Sequence, residues 1–190
     1  IVGAACLGHD LGDPPFGHSG EKAISSFFSE GEGNVLKSEL SETEWNDVIN
    51  FEGNANSFRQ LVHQFAGRRP GGFAMTYSML ASIVKYPFSS KYANEKGKFG
   101  FFTSEKDTYE KIAEELGILK RGEEQYVRHP LVYLVEAADD ICYQVMDLED
   151  AHKLKIVNTR ETIELMLGFF EGERKARIQK VMDNVVDKNE

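Results

Sequence analysis

The chain has 190 residues, 31 of them acidic against 22 Lys plus Arg, for a formal charge of −9. That length corresponds to one domain or part of one, and the acidic total disfavours broad binding to single-stranded DNA or an anionic membrane. No apolar run approaches the roughly 20 residues a spanning helix requires. The two cysteines, Cys6 and Cys142, lie in apolar runs that suit buried thiols in a reducing, cytoplasmic compartment. Local basic clusters stand at Gly67-Arg68-Arg69 and at Lys91, Lys96 and Lys98. An anionic substrate has to be met by a metal ion or by such a local cation.

Ile1 to Leu11 is apolar and small, and Gly12, Asp13, Pro14 and Pro15 end any helix near His9-Asp10, because proline lacks a donor and restricts its predecessor. Helix formers resume at Ser19. Residues 30–46, rich in Gly, Glu and Ser, read as an exposed connection with one short helix. Phe58, Leu61, Val62 and Phe65 predict a helix over 54–65, and another over 76–84 is stopped by Pro87. Residues 88–102, with Gly97, Gly100 and several lysines, read as a mobile loop. A mixed-charge helix over 105–116 ends at Gly117, and Arg128-His129-Pro130 introduces the clearest helix, from 131 to 150 or a little beyond. Its Leu131, Leu134, Ala138, Ile141, Val145 and Leu148 predict one buried stripe. One or two more helices follow over 159–186. No period-2 run competes, so the expected fold is all-α.

His9-Asp10, followed by His18 and Glu21, concentrates four ligand or acid-base side chains in a short stretch. An imidazole nitrogen and a carboxylate oxygen at a helix end can face one divalent ion, with Gly8 and Gly12 leaving room for other groups. A His-Asp pair alone is more often a local hydrogen bond, so a third ligand has to come from another helix. The candidate lies in Glu136-Ala137-Ala138-Asp139-Asp140. At about 100° per residue with Ala138 at zero, Asp139 falls near +100°, beside the stripe, and Asp140 near −160°, pointing away. Asp139 is therefore the expected ligand. Tyr143 and Asp147 follow on its side of the helix and could line an adjacent pocket; an ordinary acidic helix face is the alternative.

Four blocks, HDLGDPPFGHSGE at 9–21, FEGNANSFR at 51–59, KYP at 85–87 and EAADDICYQVMDLEDA at 136–151, resemble in content and order the dGTP triphosphohydrolase family of HD-domain phosphohydrolases. The resemblance implies the core of an HD-domain helical bundle over 1–155, with further C-terminal helices over 156–190, in a fragment of a larger all-α protein. It implies hydrolysis of a deoxynucleoside triphosphate, dGTP by default, to deoxynucleoside and inorganic triphosphate by water attack at the α-phosphorus. The implied cofactor is a divalent ion (Mg, Mn, Fe, Co or Ni) held by His9, Asp10 and Asp139. The implied catalytic pair is His18, near the scissile bond, supported by Glu21; for His18 the alternative is a cap on the following helix. Lys85, Tyr86 and Tyr143 are the implied substrate contacts, with Asp147 added by its place on the helix and Asn54 by its motif; for Lys85 the alternative is a lysine favoured by a helix C-terminus, and Asn54 and Arg59 could instead hold the helix they start. A homo-oligomer, tetramer or hexamer, with a dNTP effector between subunits is implied as well.

Two departures from the family pattern matter. Its first metal histidine, in an R-x-x-H-S segment, has no counterpart, so the protein is expected to begin upstream of Ile1. Asp13 stands where the family often has His, and a carboxylate there would repel a triphosphate unless it faced the metal or were protonated; a turn residue before Pro14 is the alternative. His63, His129 and His152 have no motif company and are expected at the surface or in packing. Two competing readings are another HD phosphohydrolase, acting on a nucleoside monophosphate or a guanosine tetraphosphate alarmone, and a nucleotide-binding regulator whose catalysis is lost. The FEGNA and KYP blocks speak against the first.

Overall fold

The computed structural model describes residues 1–67 and 72–186. Arg68 and Arg69 of the basic cluster lie outside them. The fold is all-α apart from one small hairpin. Its elements are α1 (Val2–Gly8), α2 (His18–Ser29), a 3₁₀ turn (Glu32–Ser38), α3 (Glu42–Ile49), α4 (Gly53–Val62) and α5 (Tyr77–Ile83). Two short 3₁₀ turns (Ser90–Tyr92 and Thr103–Glu105) precede α6 (Lys106–Glu115), then β1 (Lys120–Gly122), β2 (Gln125–Tyr126), α7 (Val132–Lys153), α8 (Thr159–Leu167) and α9 (Gly172–Val186). The two strands pair antiparallel, Lys120 opposite Tyr126. Among the described residues no helix is long and apolar enough to cross a membrane.

The chain divides into two compact units, Ile1–Ala138 and Asp139–Glu190. The division falls within α7, which is continuous across it. In the second unit, Asn158 and Glu161 form a reciprocal capping box that starts α8. The first unit is built around Phe58, Leu61, Leu80, Val84, Phe101, Tyr109, Ile112 and Val135. Phe101 stacks on Tyr109 with centroids 4.7 Å apart, and Phe58 meets the same ring edge-on at 5.8 Å. The Tyr109 hydroxyl is buried with no hydrogen-bond partner among the described residues, and burial pushes its ionisation well above the ordinary tyrosine range. Tyr109→Phe removes that unmet demand while keeping the ring, and is expected to raise stability by up to about 1 kcal/mol in denaturant unfolding. A clear loss would show that the hydroxyl has a partner.

Several sequence expectations are corrected. Residues 88–102 are not a peripheral loop, since Phe99 and Phe101 are fully buried and Phe102 nearly so. Gly100 marks close packing there: a Cβ would run into the Tyr86 carbonyl and the Val84 side chain. The connection at 30–46 holds a 3₁₀ turn and the start of α3, where Ser41 and Glu44 form another capping box. On α7 the predicted stripe is not buried. Leu134, Ile141 and Val145 are exposed, while Val132 and Val135 enter the core. Period identifies an apolar helix face but not what covers it, and α7 has two such faces. Cys142 is exposed and Cys6 only half-buried, and neither forms a disulfide.

Candidate functional site

The turn between α1 and α2 carries His9 and Asp10, and α4 holds that turn in place. The Gly12 N–H donates to Ser57 Oγ at 2.9 Å, the Ser57 hydroxyl donates to the His9 carbonyl at 2.5 Å, and Asn56 Nδ2 donates to the Gly12 carbonyl at 2.8 Å. A Cβ on Gly12 would collide with the Asn56 and Ser57 backbone. The FEGNANSFR block therefore serves as the bed of the His9-Asp10 turn.

His9 Nδ1 lies 2.8 Å from the Cys6 carbonyl oxygen. A carbonyl only accepts, so Nδ1 carries the proton and Nε2 is the nitrogen available as a ligand. Nε2 is 3.1 Å from Asp10 Oδ1. Among the described residues, one group of His and Asp side chains could hold a metal ion: His9, Asp10 and Asp139. By the helical angles above, Val135 and Val132 fall near +60° and +120°, so Asp139, at about +100°, continues the face of α7 that is buried rather than flanking the predicted stripe. One imidazole nitrogen and two carboxylate oxygens suit a hard or borderline divalent ion, so the donor set fits the implied cofactor.

His18 opens α2, and its Nδ1 is 2.8 Å from Glu21 Oε2, one turn on. Its side chain is 82% exposed, leaving Nε2 open to solvent, whereas Glu21 is buried. Glu21 Oε1 accepts from the Gly53 N–H at 2.7 Å, and Lys98 Nζ stands 3.2 Å from Oε2. Burial works against ionisation of Glu21, but the Gly53 N–H, His18 and Lys98 outweigh it and hold its carboxyl below the ordinary range. Lys98 also pairs with Glu52 Oε1 at 2.8 Å. Beside this group opens a cavity of about 650 Å³, lined among others by His18, Glu21, Lys22, Ser25, Phe51 and Lys98.

Burial first, then the charges of Asp10, Glu21 and Glu52, push the Asp13 carboxyl above its ordinary value, with Lys98 offsetting part of the effect. The folded chain thus binds a proton at Asp13 more tightly than the unfolded chain. That contribution to stability is fully present below pH 3.8, Asp13's ordinary value, and is lost as pH rises through the raised folded value. Asp13→Asn is accordingly expected to raise the melting temperature at pH 7 and to change it little at pH 3.5. Equal shifts at both pH values would show that its charge is not the cause.

The other expected site residues are placed as follows. Lys85 Nζ pairs with Glu136 Oε1 at 2.9 Å, and Glu136 Oε2 accepts from Arg128 at 3.0 Å. The Arg128 guanidinium lies over the Tyr86 ring, 5.7 Å from its centroid. The KYP segment is thereby tied to α7. Asn54 Nδ2 donates to Glu52 Oε1 at 3.1 Å in the first turn of α4. Tyr143 and Asp147 lie one and two turns beyond Asp139 on α7, both exposed. His63 caps the C-terminus of α4, His129 Nδ1 accepts from the Leu131 N–H, and His152 meets Thr159. The sequence motif at 51–59 does not single out Glu52, Gly53 or Ser57, and Lys98, grouped by sequence with Lys91 and Lys96 as a local cation for an anionic substrate, instead pairs with Glu52 and with Glu21, 77 residues away.

No protein-family model matches the chain. It is 45% identical over 176 residues to a deoxyguanosinetriphosphate triphosphohydrolase-like protein of Pseudomonas aeruginosa, an alignment covering 88% of this chain and 39% of the relative. A deoxyguanosinetriphosphate triphosphohydrolase of Yersinia pseudotuberculosis is 35% identical over 201 residues, covering 87% of this chain and 37% of the relative. A deoxyguanosinetriphosphate triphosphohydrolase-like protein of Listeria monocytogenes is 33% identical over 198 residues, covering 99% and 41%. The chain is a homologue of these proteins. The triphosphohydrolase names bear out the resemblance carried by the four sequence blocks. The chain spans about two fifths of the length of the curated relatives it matches.

Proposed function

We propose that the chain carries the metal-binding and proton-handling core of a deoxynucleoside triphosphate triphosphohydrolase, with dGTP as the default substrate and deoxynucleoside plus inorganic triphosphate as products. The observation that carries this reading is that one turn bears both a His-Asp pair with its imidazole tautomer fixed by the Cys6 carbonyl and a solvent-facing His18 anchored on a buried carboxylate. His9, Asp10 and Asp139 would hold the divalent ion, which supplies polarisation of a phosphate oxygen and a lowered pKa for a bound water. His18, with Nδ1–H donated to Glu21, presents Nε2 as an acceptor that steers the attacking water or, when Nε2 carries a second proton, as the donor of that proton to the leaving 5′-oxygen. The cavity beside His18 offers space for the non-reacting part of the substrate. Lys85, Tyr86, Asn54, Tyr143 and Asp147 are the proposed substrate contacts, and assembly as a homo-oligomer under a dNTP effector belongs to the same reading.

The test is to incubate the full-length protein with each dNTP, singly and in pairs, with Mn²⁺ or Mg²⁺, and to resolve the products by ³¹P NMR. Triphosphate plus deoxynucleoside is the expected outcome. Release of single phosphates would favour the nucleoside monophosphate or alarmone reading. No turnover under any condition would leave the nucleotide-binding regulator, the reading that Asp13 and the unmatched first metal histidine keep open.

A further inference from the structure

Glu21 and Glu52 are buried next to each other at the start of α4, Glu52 to 1% exposure, and one ammonium group joins them. Glu52 also accepts from the Ala55 N–H at 2.9 Å and from Asn54, while Glu21 accepts from the Gly53 N–H and from His18. With Lys98 in place the three groups carry one net negative charge. Without it they carry two, in a site where Asp13 adds a further acid, and neighbouring buried carboxylates in that condition take up a proton. A protonated Glu21 would no longer oblige His18 to donate from Nδ1, because a carboxylic acid can itself donate.

We propose that Lys98 is a positioning residue for His18: its ammonium keeps Glu21 an ionised acceptor, so the His18 proton stays on Nδ1 and Nε2 faces outward. The consequence for turnover rests on the function proposed above, whereas the tautomer does not. Lys98 reaches this position because the 88–102 segment is anchored by Phe99, Phe101 and Phe102, with residues 96–98 braced by Asn94 Oδ1, which accepts from the Lys96 and Lys98 N–H groups at 2.9 and 3.0 Å.

The experiment uses full-length protein labelled with ¹⁵N-histidine, in which two-bond ¹H–¹⁵N correlations report the protonated nitrogen of His18, assigned against His18→Gln. Wild type is expected to show the Nδ1–H form, and Lys98→Met to lose it. The double variant Lys98→Met/Glu52→Gln restores the single net negative charge, keeps an oxygen for the Ala55 N–H, and is expected to recover the wild-type form. In parallel, kcat should fall about 10- to 100-fold in Lys98→Met, with KM little changed, and return to within about threefold of wild type in the double variant. An unchanged tautomer in Lys98→Met overturns the inference. So does a double variant that remains as defective as the single one, in tautomer or in folding, because Lys98 would then act by packing alone. If no dNTP is turned over, the proposed function fails while the spectra still decide the role of Lys98.

Discussion

Replacing His18 with alanine is expected to lower kcat of the full-length protein by about 10²- to 10⁴-fold, the range over which a positioned acid-base group acts. Metal content should stay at the wild-type level. The two effects separate because His18 is tethered to Glu21 at 2.8 Å, whereas the proposed ligand nitrogen of His9 is fixed independently by the Cys6 carbonyl. The side chain of His18 is mostly exposed, so its removal opens no core cavity and the fold should be retained. Turnover together with metal analysis on the same preparation checks this. Retained turnover would remove His18 from the mechanism, while lost metal would make it a ligand or a support for one.

Gly12→Ala is expected to disable the site by another route. The new methyl would collide with the backbone at Asn56 and Ser57, which cannot swing away as a side chain could. Relief requires the turn after α1 to lift off α4 at the point where Ser57 bridges Gly12 and His9 and where Asn56 holds the Gly12 carbonyl. Overpacking of this kind costs about 1–3 kcal/mol, and losing these buried hydrogen bonds adds about 1 kcal/mol each. A marked drop in melting temperature and loss of bound metal should therefore appear together. Ser57→Ala, which removes the bridge without adding bulk, should cost less. A Gly12→Ala protein that melts like wild type would show that the turn is not seated on α4 as described.

Much of the site was legible in the sequence because it is local. Pro14 and Pro15 dictate that a helix ends near His9-Asp10, and His18 and Glu21 meet across one turn of the helix that follows. Asp139 lies near His9 and Asp10, although the stripe from which its helical angle is taken is exposed and Val132 and Val135 mark the buried face instead, and the absence of strand periodicity pointed to the all-α class. The meaning of 88–102 was not legible: its glycines and lysines suggest a loop, yet Gly100 is needed for close packing and the neighbouring phenylalanines are buried. The stripe on α7 failed for a related reason, since hydrophobic period reports that a face is apolar and says nothing of its cover. Lys98 is the sharpest case. Its partners Glu52 and Glu21 lie 46 and 77 residues away, and an ion pair imposes no period, spacing or cap on the chain between its members. Local order thus comes from backbone chemistry that each segment carries with it, while the charge balance around Glu21 exists only once the tertiary fold has brought three distant segments into one buried site.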